Sequence, residues 1–173
     1  MTHFLETRRL ILRHAKQEDF EALYQTIFSD AAVLKYVFAG GVLDDEQART
    51  FFEQKFTFDC QKPYGLAVVS EKSTEAMLGF AGLIPARPEE FDGYEFGYVL
   101  SQQNWAKGYA TEIAQGQINW AFQELDLGKL YALIHPQNTA SVNVVKKLNL
   151  TKFPSVTIEG QGTRLVYVAN RND

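Results

Sequence analysis

The feature that most narrows what this chain can become is a strand, a short polar turn and a long amphipathic helix in immediate succession over residues 94–125. Tyr94-Glu-Phe-Gly-Tyr-Val-Leu100 reads as the strand and Ser-Gln-Gln-Asn104 as the turn. Over residues 107–125, Ala110, Ile113, Ala114, Ile118, Ala121, Phe122 and Leu125 keep the helical period for about five turns. A strand that passes so directly into a helix places the chain among α/β folds.

The flanking segments fit that class. Leu10-Ile-Leu-Arg-His14 reads as a first strand, and Lys16-Gln-Glu-Asp19 starts a helix over residues 20–28. Gly40-Gly41 breaks the chain before Asp44, after which Ala48, Phe51, Phe52, Lys55 and Phe56 recur at helical spacing until Pro63 and Gly65. Residues 65–70, 77–84 and 94–100 form a meander with turns at 71–75 and 85–93. Residues 130–134 make a short strand ended by His135-Pro136. Asn138 then caps a helix with Val142, Val145 and Leu148 on one face, and Asn149 suits a left-handed exit. Residues 152–158 and 163–168 close the chain as a hairpin. Without an internal repeat or linker, residues 1–173 are expected to form one domain, with enough apolar surface (46% hydrophobic, 13% aromatic) for its core.

Composition removes several function classes. A net charge of −4 argues against a nucleic-acid groove, which needs clustered Lys and Arg. Cys60 is the only cysteine, so an internal disulfide and paired zinc-ligand spacing are both absent, and a cytoplasmic location is expected. No apolar run approaches the roughly 20 residues of a membrane span, and the N-terminus is broken by charge; a soluble, unprocessed protein is expected.

Two segments carry chemistry. In Trp105-Ala-Lys-Gly-Tyr-Ala-Thr-Glu112, the first N–H groups of the long helix lack intrahelical partners and, with the positive end of the helix dipole, suit a pyrophosphate. Gly108 permits close approach, Ala110 keeps the helix opening slim, and Lys107 adds charge at the rim. In His135-Pro-Gln-Asn-Thr-Ala-Ser141 and the helix behind it, Asn138, Ser141, Lys146 and Lys147 fall on one strand-to-helix unit, and the Asn138 amide matches a pantetheine-type chain. Taken alone, Gly108 also reads as a turn residue, Asn138 and Ser141 as helix caps, and the lysines as a solvated face. Binding of a nucleotide through Lys107-Gly108 fits poorly, because no G-x-x-x-x-G-K-[ST] loop is present.

In this order and spacing the segments resemble the GNAT N-acetyltransferases, and within them the RimJ/RimL-like branch. The resemblance spans nearly the whole chain: Glu6-Thr-Arg-Arg-Leu-Ile-Leu-Arg13 is similar to that branch's first strand, residues 105–112 to its acyl-CoA loop and residues 138–148 to its late helix. It implies a GNAT-like α/β (α+β) fold: a central mixed, mostly antiparallel sheet of six to seven strands flanked by about four helices. A V-shaped splay is implied between the fourth and fifth strands, residues 94–100 and 130–134. The implied activity is metal-free, acetyl-CoA-dependent acetyl transfer to a primary amine, either a protein N-terminal α-amine or a small-molecule amine, in a ternary complex. A non-catalytic acyl-CoA-binding or sensing module is the other reading.

The resemblance also implies roles. The backbone of Tyr98, Val99 and Leu100 would pair with pantetheine, and Trp105, Ala106, Lys107, Gly108, Tyr109, Ala110 and Thr111 would cradle the pyrophosphate. Asn138 would meet pantetheine, and Lys146 or Lys147 the adenosine end. Trp105 stands where the wider superfamily often has Gln or Arg, Ala106 where the branch often has Gly, and Asn149 where glycine is usual. Glu95 is the candidate base, against a solvent-facing or salt-bridged carboxylate, and Ser141 the candidate acid, against a cap. A backbone N–H near Val99 or Leu100 would stabilise the oxyanion. Glu89, Glu90 and Asp92 would attract a cationic amine or lie in a plain solvated loop, while Tyr36, Phe38 and Gly40-Gly41 would wall the acceptor or fill core. The final hairpin offers an edge for a homodimer.

Overall fold

The computed structural model describes residues 3–38, 41–57, 64–87 and 91–171. Its strands are β1 His3–Glu6, β2 Leu10–Arg13, β3 Gly65–Glu71, β4 Met77–Pro85, β5 Tyr94–Leu100, β6 Lys129–Ile134, β7 Thr151–Ile158 and β8 Gly162–Asn170. They join one sheet in the order β1-β2-β3-β4-β5-β6-β8-β7. Every neighbouring pair is antiparallel except β5 and β6.

Helices cover both faces, which is why β3 and β4 are buried almost throughout and read as continuous apolar runs. On one face lie α1 Asp19–Leu23, its π-helical continuation Tyr24–Phe28, α2 Ala31–Leu34 and α3 Asp45–Lys55. They bury Phe20, Ile27, Phe28 and Phe52 against Val68 and Phe80. On the other face, α4 Tyr109–Gln123 and α5 Thr139–Lys147 pack Ala114, Ile118, Val144 and Val145 against Phe96, Leu130 and Ala132.

The meander, the long helix and the closing hairpin fall where the sequence places them, with three corrections. The sheet has an eighth strand, β1, whose charged surroundings hide it in the sequence although Leu5 is buried in the core. Five α-helices replace the expected four, because Asp30 caps the short α2 by accepting from Ala32 N and Val33 N. The long helix starts at Tyr109 rather than residue 107, since Gly108 takes the N-cap with φ 80°. Asn149 adopts the left-handed exit, with φ 57°. At the outer edge, β7 slips its register between Phe153 and Val156, next to Pro154.

The splay follows from pairing. β4 and β5 stay in register from Gly79↔Leu100 to Pro85↔Tyr94, and β6 stays on β8 from Lys129↔Asn170 to Ile134↔Leu165. Between them only Tyr94↔Leu130 and Glu95↔Tyr131 pair, so beyond Glu95 the strands part.

One carboxylate locks the first hairpin to the opening of α4. Glu112 accepts from Thr7 Oγ1 at 2.6 Å, Arg9 N at 2.7 Å and Arg9 Nε at 2.7 Å. Arg9 also donates to the Lys107 carbonyl at 3.1 Å and lies over the Tyr109 ring. Burial opposes charge on Glu112, but the bonds from Thr7 and Arg9 prevail and hold its carboxyl below the usual range. A lowered carboxyl pKa adds stability above the unfolded-state value and loses it as pH falls through the folded one. Glu112→Ala should therefore cost about 2 kcal/mol in urea unfolding at pH 7, with a smaller difference from the parent at about pH 3.

Candidate active site

The slot between β5 and β6 has one wall of unpaired backbone. The β4–β5 ladder has no bulge, and Ser101 N donates to Leu78 O, so the N–H and C=O of odd-numbered β5 residues face β4. The Val99 carbonyl lies against Gly79 accordingly. The backbone of Phe96, Tyr98 and Leu100 therefore faces the slot. Of the two amides considered for an oxyanion, Leu100 points into the opening; Val99 is turned into the ladder, which corrects its expected role. The Leu100 carbonyl is occupied by Trp105 Nε1 at 2.7 Å.

The turn after β5 is built to hold the start of α4 open. Asn104, buried, donates to Ser101 Oγ at 2.8 Å, and Ser101 Oγ donates to Leu78 O at 3.3 Å. Gln102 Nε2 reaches the Asp30 carboxylate at 2.7 Å, fastening the turn to α2. Beyond it, Ala106 has φ 59° and Gly108 φ 80°, two left-handed residues that bend the chain around a concavity. Among the described residues, the N–H groups of Ala106, Lys107, Gly108, Tyr109, Ala110 and Thr111 have no hydrogen-bond acceptor, and no side chain caps the helix. The Tyr109 side chain is not part of this concavity: it is buried and donates to Glu71 Oε1 at 2.5 Å. Lys107 Nζ leans on Asn104 Oδ1 at 3.4 Å, and Trp105 is 47% exposed.

Glu95 sits at the last paired position, at the apex of the splay. Burial pushes its carboxyl up to about 7, against the opposing pull of Arg87 and Arg164. Among the described residues it forms no ion pair within 4.0 Å, which removes the salt-bridged reading. On the α4 side of β5, burial raises the Tyr98 pKa, and the Ser141 hydroxyl beside it works against that rise. Asn138 is the N-cap of α5, accepting from Ser141 N at 3.1 Å through Oδ1, so its amide NH₂ keeps both donors.

Lys146 and Lys147 are exposed in the last turn of α5. Tyr36 stacks on His135 at 5.0 Å, joining the end of α2 to the end of β6, whereas Phe38 packs edge-on against Phe51 at 5.0 Å. Asp92 is exposed and bears on Lys129; Glu89, Glu90, Gly40 and Cys60 lie outside the described residues. Sequence reasoning missed the Tyr98 hydroxyl, Arg87, Arg164 and Gln117, whose Nε2 donates to the Gly97 carbonyl at 3.2 Å. Strand alternation could have grouped Tyr98 with Phe96; nothing local marks the arginines. Surface clefts of about 600 Å³ beside the β1–β2 turn and about 550 Å³ along α3 do not include Glu95. Among the described residues no group of three His, Cys, Asp or Glu could hold a metal, and no helix is long and apolar enough to cross a membrane.

Comparison with known proteins agrees with this geometry. The family model described as an acetyltransferase (GNAT) domain matches residues 9–151. The uncharacterized protein YkkB of Bacillus subtilis (strain 168) is 32% identical over 148 residues, covering 84% of each chain. The crystal structure of a GNAT-family acetyltransferase from Bacillus anthracis superposes with a TM-score of 0.81 at 24% identity, covering 98% of this chain and 99% of the other. RimL, a ribosomal L7/L12 α-N-protein acetyltransferase solved in complex with coenzyme A, gives 0.79 at 16% identity over 98% of each chain. A splayed β5–β6 pair with open amides at the head of α4, together with a family match over most of the sequence, places this chain in the GNAT acetyltransferase family.

Proposed function

We propose that the chain is an acetyl-CoA-dependent N-acetyltransferase of the RimJ/RimL-like branch. It acts as one cytoplasmic domain over residues 1–173 and transfers acetyl to a primary amine, a protein N-terminal α-amine or a small-molecule amine, within a ternary complex. The observation that carries this reading is the row of six acceptor-free amides over residues 106–111, placed at the open end of a slot edged by unpaired β5 backbone. Such amides, with the positive end of the α4 dipole, suit a diphosphate. The edge formed by Tyr98 and Leu100 suits an amide-bearing pantetheine arm, with the Asn138 NH₂ as a further donor and Lys146 or Lys147 near the adenosine end. RimL supports the same donor, since a protein of this fold is crystallised with coenzyme A. The exposed Phe153 on β7 gives a face for a homodimer.

When bound, acetyl-CoA supplies a thioester whose acyl carbon gains a bond to the amine nitrogen as its bond to sulfur breaks. Glu95 takes a proton from the incoming ammonium onto a carboxylate oxygen and releases it to solvent. A base with a pKa of about 7 is well matched to that task at neutral pH. Ser141, beside Tyr98, donates its hydroxyl proton to the departing sulfur and is reprotonated through Tyr98 or water. A half-buried carboxylate at the apex favours catalysis over a non-catalytic binding module, which has no use for a group so expensive to ionise.

Thiol release with acetyl-CoA over a broad panel of amines and peptides tests the reading, and silence across it with CoA bound would remove it. The rate should rise with pH through about 7 as Glu95 ionises. Glu95→Gln should lower kcat on the order of a hundredfold or more, erase that limb, and leave the calorimetric Kd for CoA unchanged. The same variant should be more stable than the parent above pH 7. A carboxyl pKa raised in the fold weakens stability as pH climbs from the unfolded value to the folded one; the gain reaches at most about 3 kcal/mol and vanishes below about pH 4. Ser141→Ala and Tyr98→Phe should each reduce kcat roughly tenfold or more while sparing CoA affinity; equal losses in both quantities would discard their assignment.

A further inference from the structure

Around Glu95, the face of the sheet that carries α1–α3 holds a guanidinium that forms no ion pair among the described residues. Arg164 alternates with Leu165, which packs toward α4 and α5, so its side chain lies on the same face as Glu95, Gly97 and Val166. It is only 6% exposed. Among the described residues its guanidinium donates to one acceptor, the Thr163 carbonyl at 3.2 Å, and no carboxylate comes within 4.0 Å of it. A guanidinium this far from water ordinarily has an anion against it, because five N–H donors and a full charge have lost their hydration.

Among the described residues no carboxylate closes on it. Arg164 and Arg87, which follows β4, both bear on the Glu95 carboxyl without closing an ion pair with it. Gly97, next on the same face of β5, would set a Cβ into space with nothing within 4 Å. Asp92 is exposed and forms no ion pair with either arginine among the described residues. The face thus carries one carboxylate that suits an ammonium and two guanidinium groups that suit an anion, with open space at Gly97 beside the carboxylate. That pattern complements a zwitterion and repels a polycation.

We propose that the acceptor is an amine that also carries a carboxylate, as in a free amino acid, with the amine at Glu95 and the carboxylate held by Arg164 and Arg87. This rests on the acetyl-transfer reading above. The amine nitrogen is the acetylated atom; the carboxylate is bound and unchanged.

The test measures thiol release from acetyl-CoA with the free amino acids, the same amino acids as carboxamides, and spermidine. Each free acid that is turned over should exceed its carboxamide by at least about tenfold in kcat/KM. Assayed at about pH 9, where Glu95 is ionised with or without the pull of Arg164, Arg164→Gln should raise KM for the acid about tenfold and leave the carboxamide's KM nearly unchanged. Arg87→Gln, at an exposed position that places no burden on folding, should narrow the same ratio. Carboxamides used as well as the acids, or a ratio unchanged in both variants, would overturn the proposal. Turnover of spermidine or carboxamides with none of the free acids would overturn it too, while leaving acetyl transfer in place; silence from all of them with CoA bound would remove both.

Discussion

Backbone amides and carbonyls must find partners, and this architecture leaves a row of them without any. β5 is held on one side by a regular ladder to β4, and β6 by a regular ladder to β8, so neither strand can turn to meet the other once they diverge past Glu95. The unmet N–H and C=O of Tyr98 and the unmet N–H of Leu100 are the direct consequence, and the turn to α4 adds six more amides at the same end. In a folded protein so much unsatisfied backbone in one place is costly unless water or a ligand attends it. The slot is best understood as an incomplete sheet whose missing strand is a molecule.

Much of this was legible in the sequence because local chemistry and tertiary need coincide. The apolar period from Ala110 to Ala121 specifies a helix face and also fits the sheet beneath it, so the longest element was readable within two residues at each end. Asn138 and Asn149 were readable for the same reason, as a cap and a left-handed exit that act on their own neighbours. β1 was not, since His3–Glu6 becomes a strand only by borrowing partners from β2. Glu95 could be chosen from its strand, but its perturbed titration depends on burial by residues far away in the chain. The closure of Glu112 on Thr7 and Arg9 spans more than a hundred positions and leaves no local trace.

Two local rules are broken at the site. Ala106 holds a left-handed conformation that a residue with a Cβ enters at a cost of about 1 kcal/mol, and Glu95 is kept from water where an apolar residue would be more comfortable. Both compromises are carried by the surrounding packing: the Ser101–Asn104 turn is fastened to α2 by Gln102, and the head of α4 is clamped to the first hairpin by Glu112. Side-chain hydrogen bonds thus flank the strained turn on both sides.

Pro154 lies in the outermost strand, where the β7 register slips on its way from Phe153 to Val156. A proline there withholds an amide that a stranger's strand would need, and the slip twists the rim away from a straight template. Open-ended growth of the sheet into fibres is hindered at that border, where a neighbouring copy finds side chains more readily than a free ladder of amides.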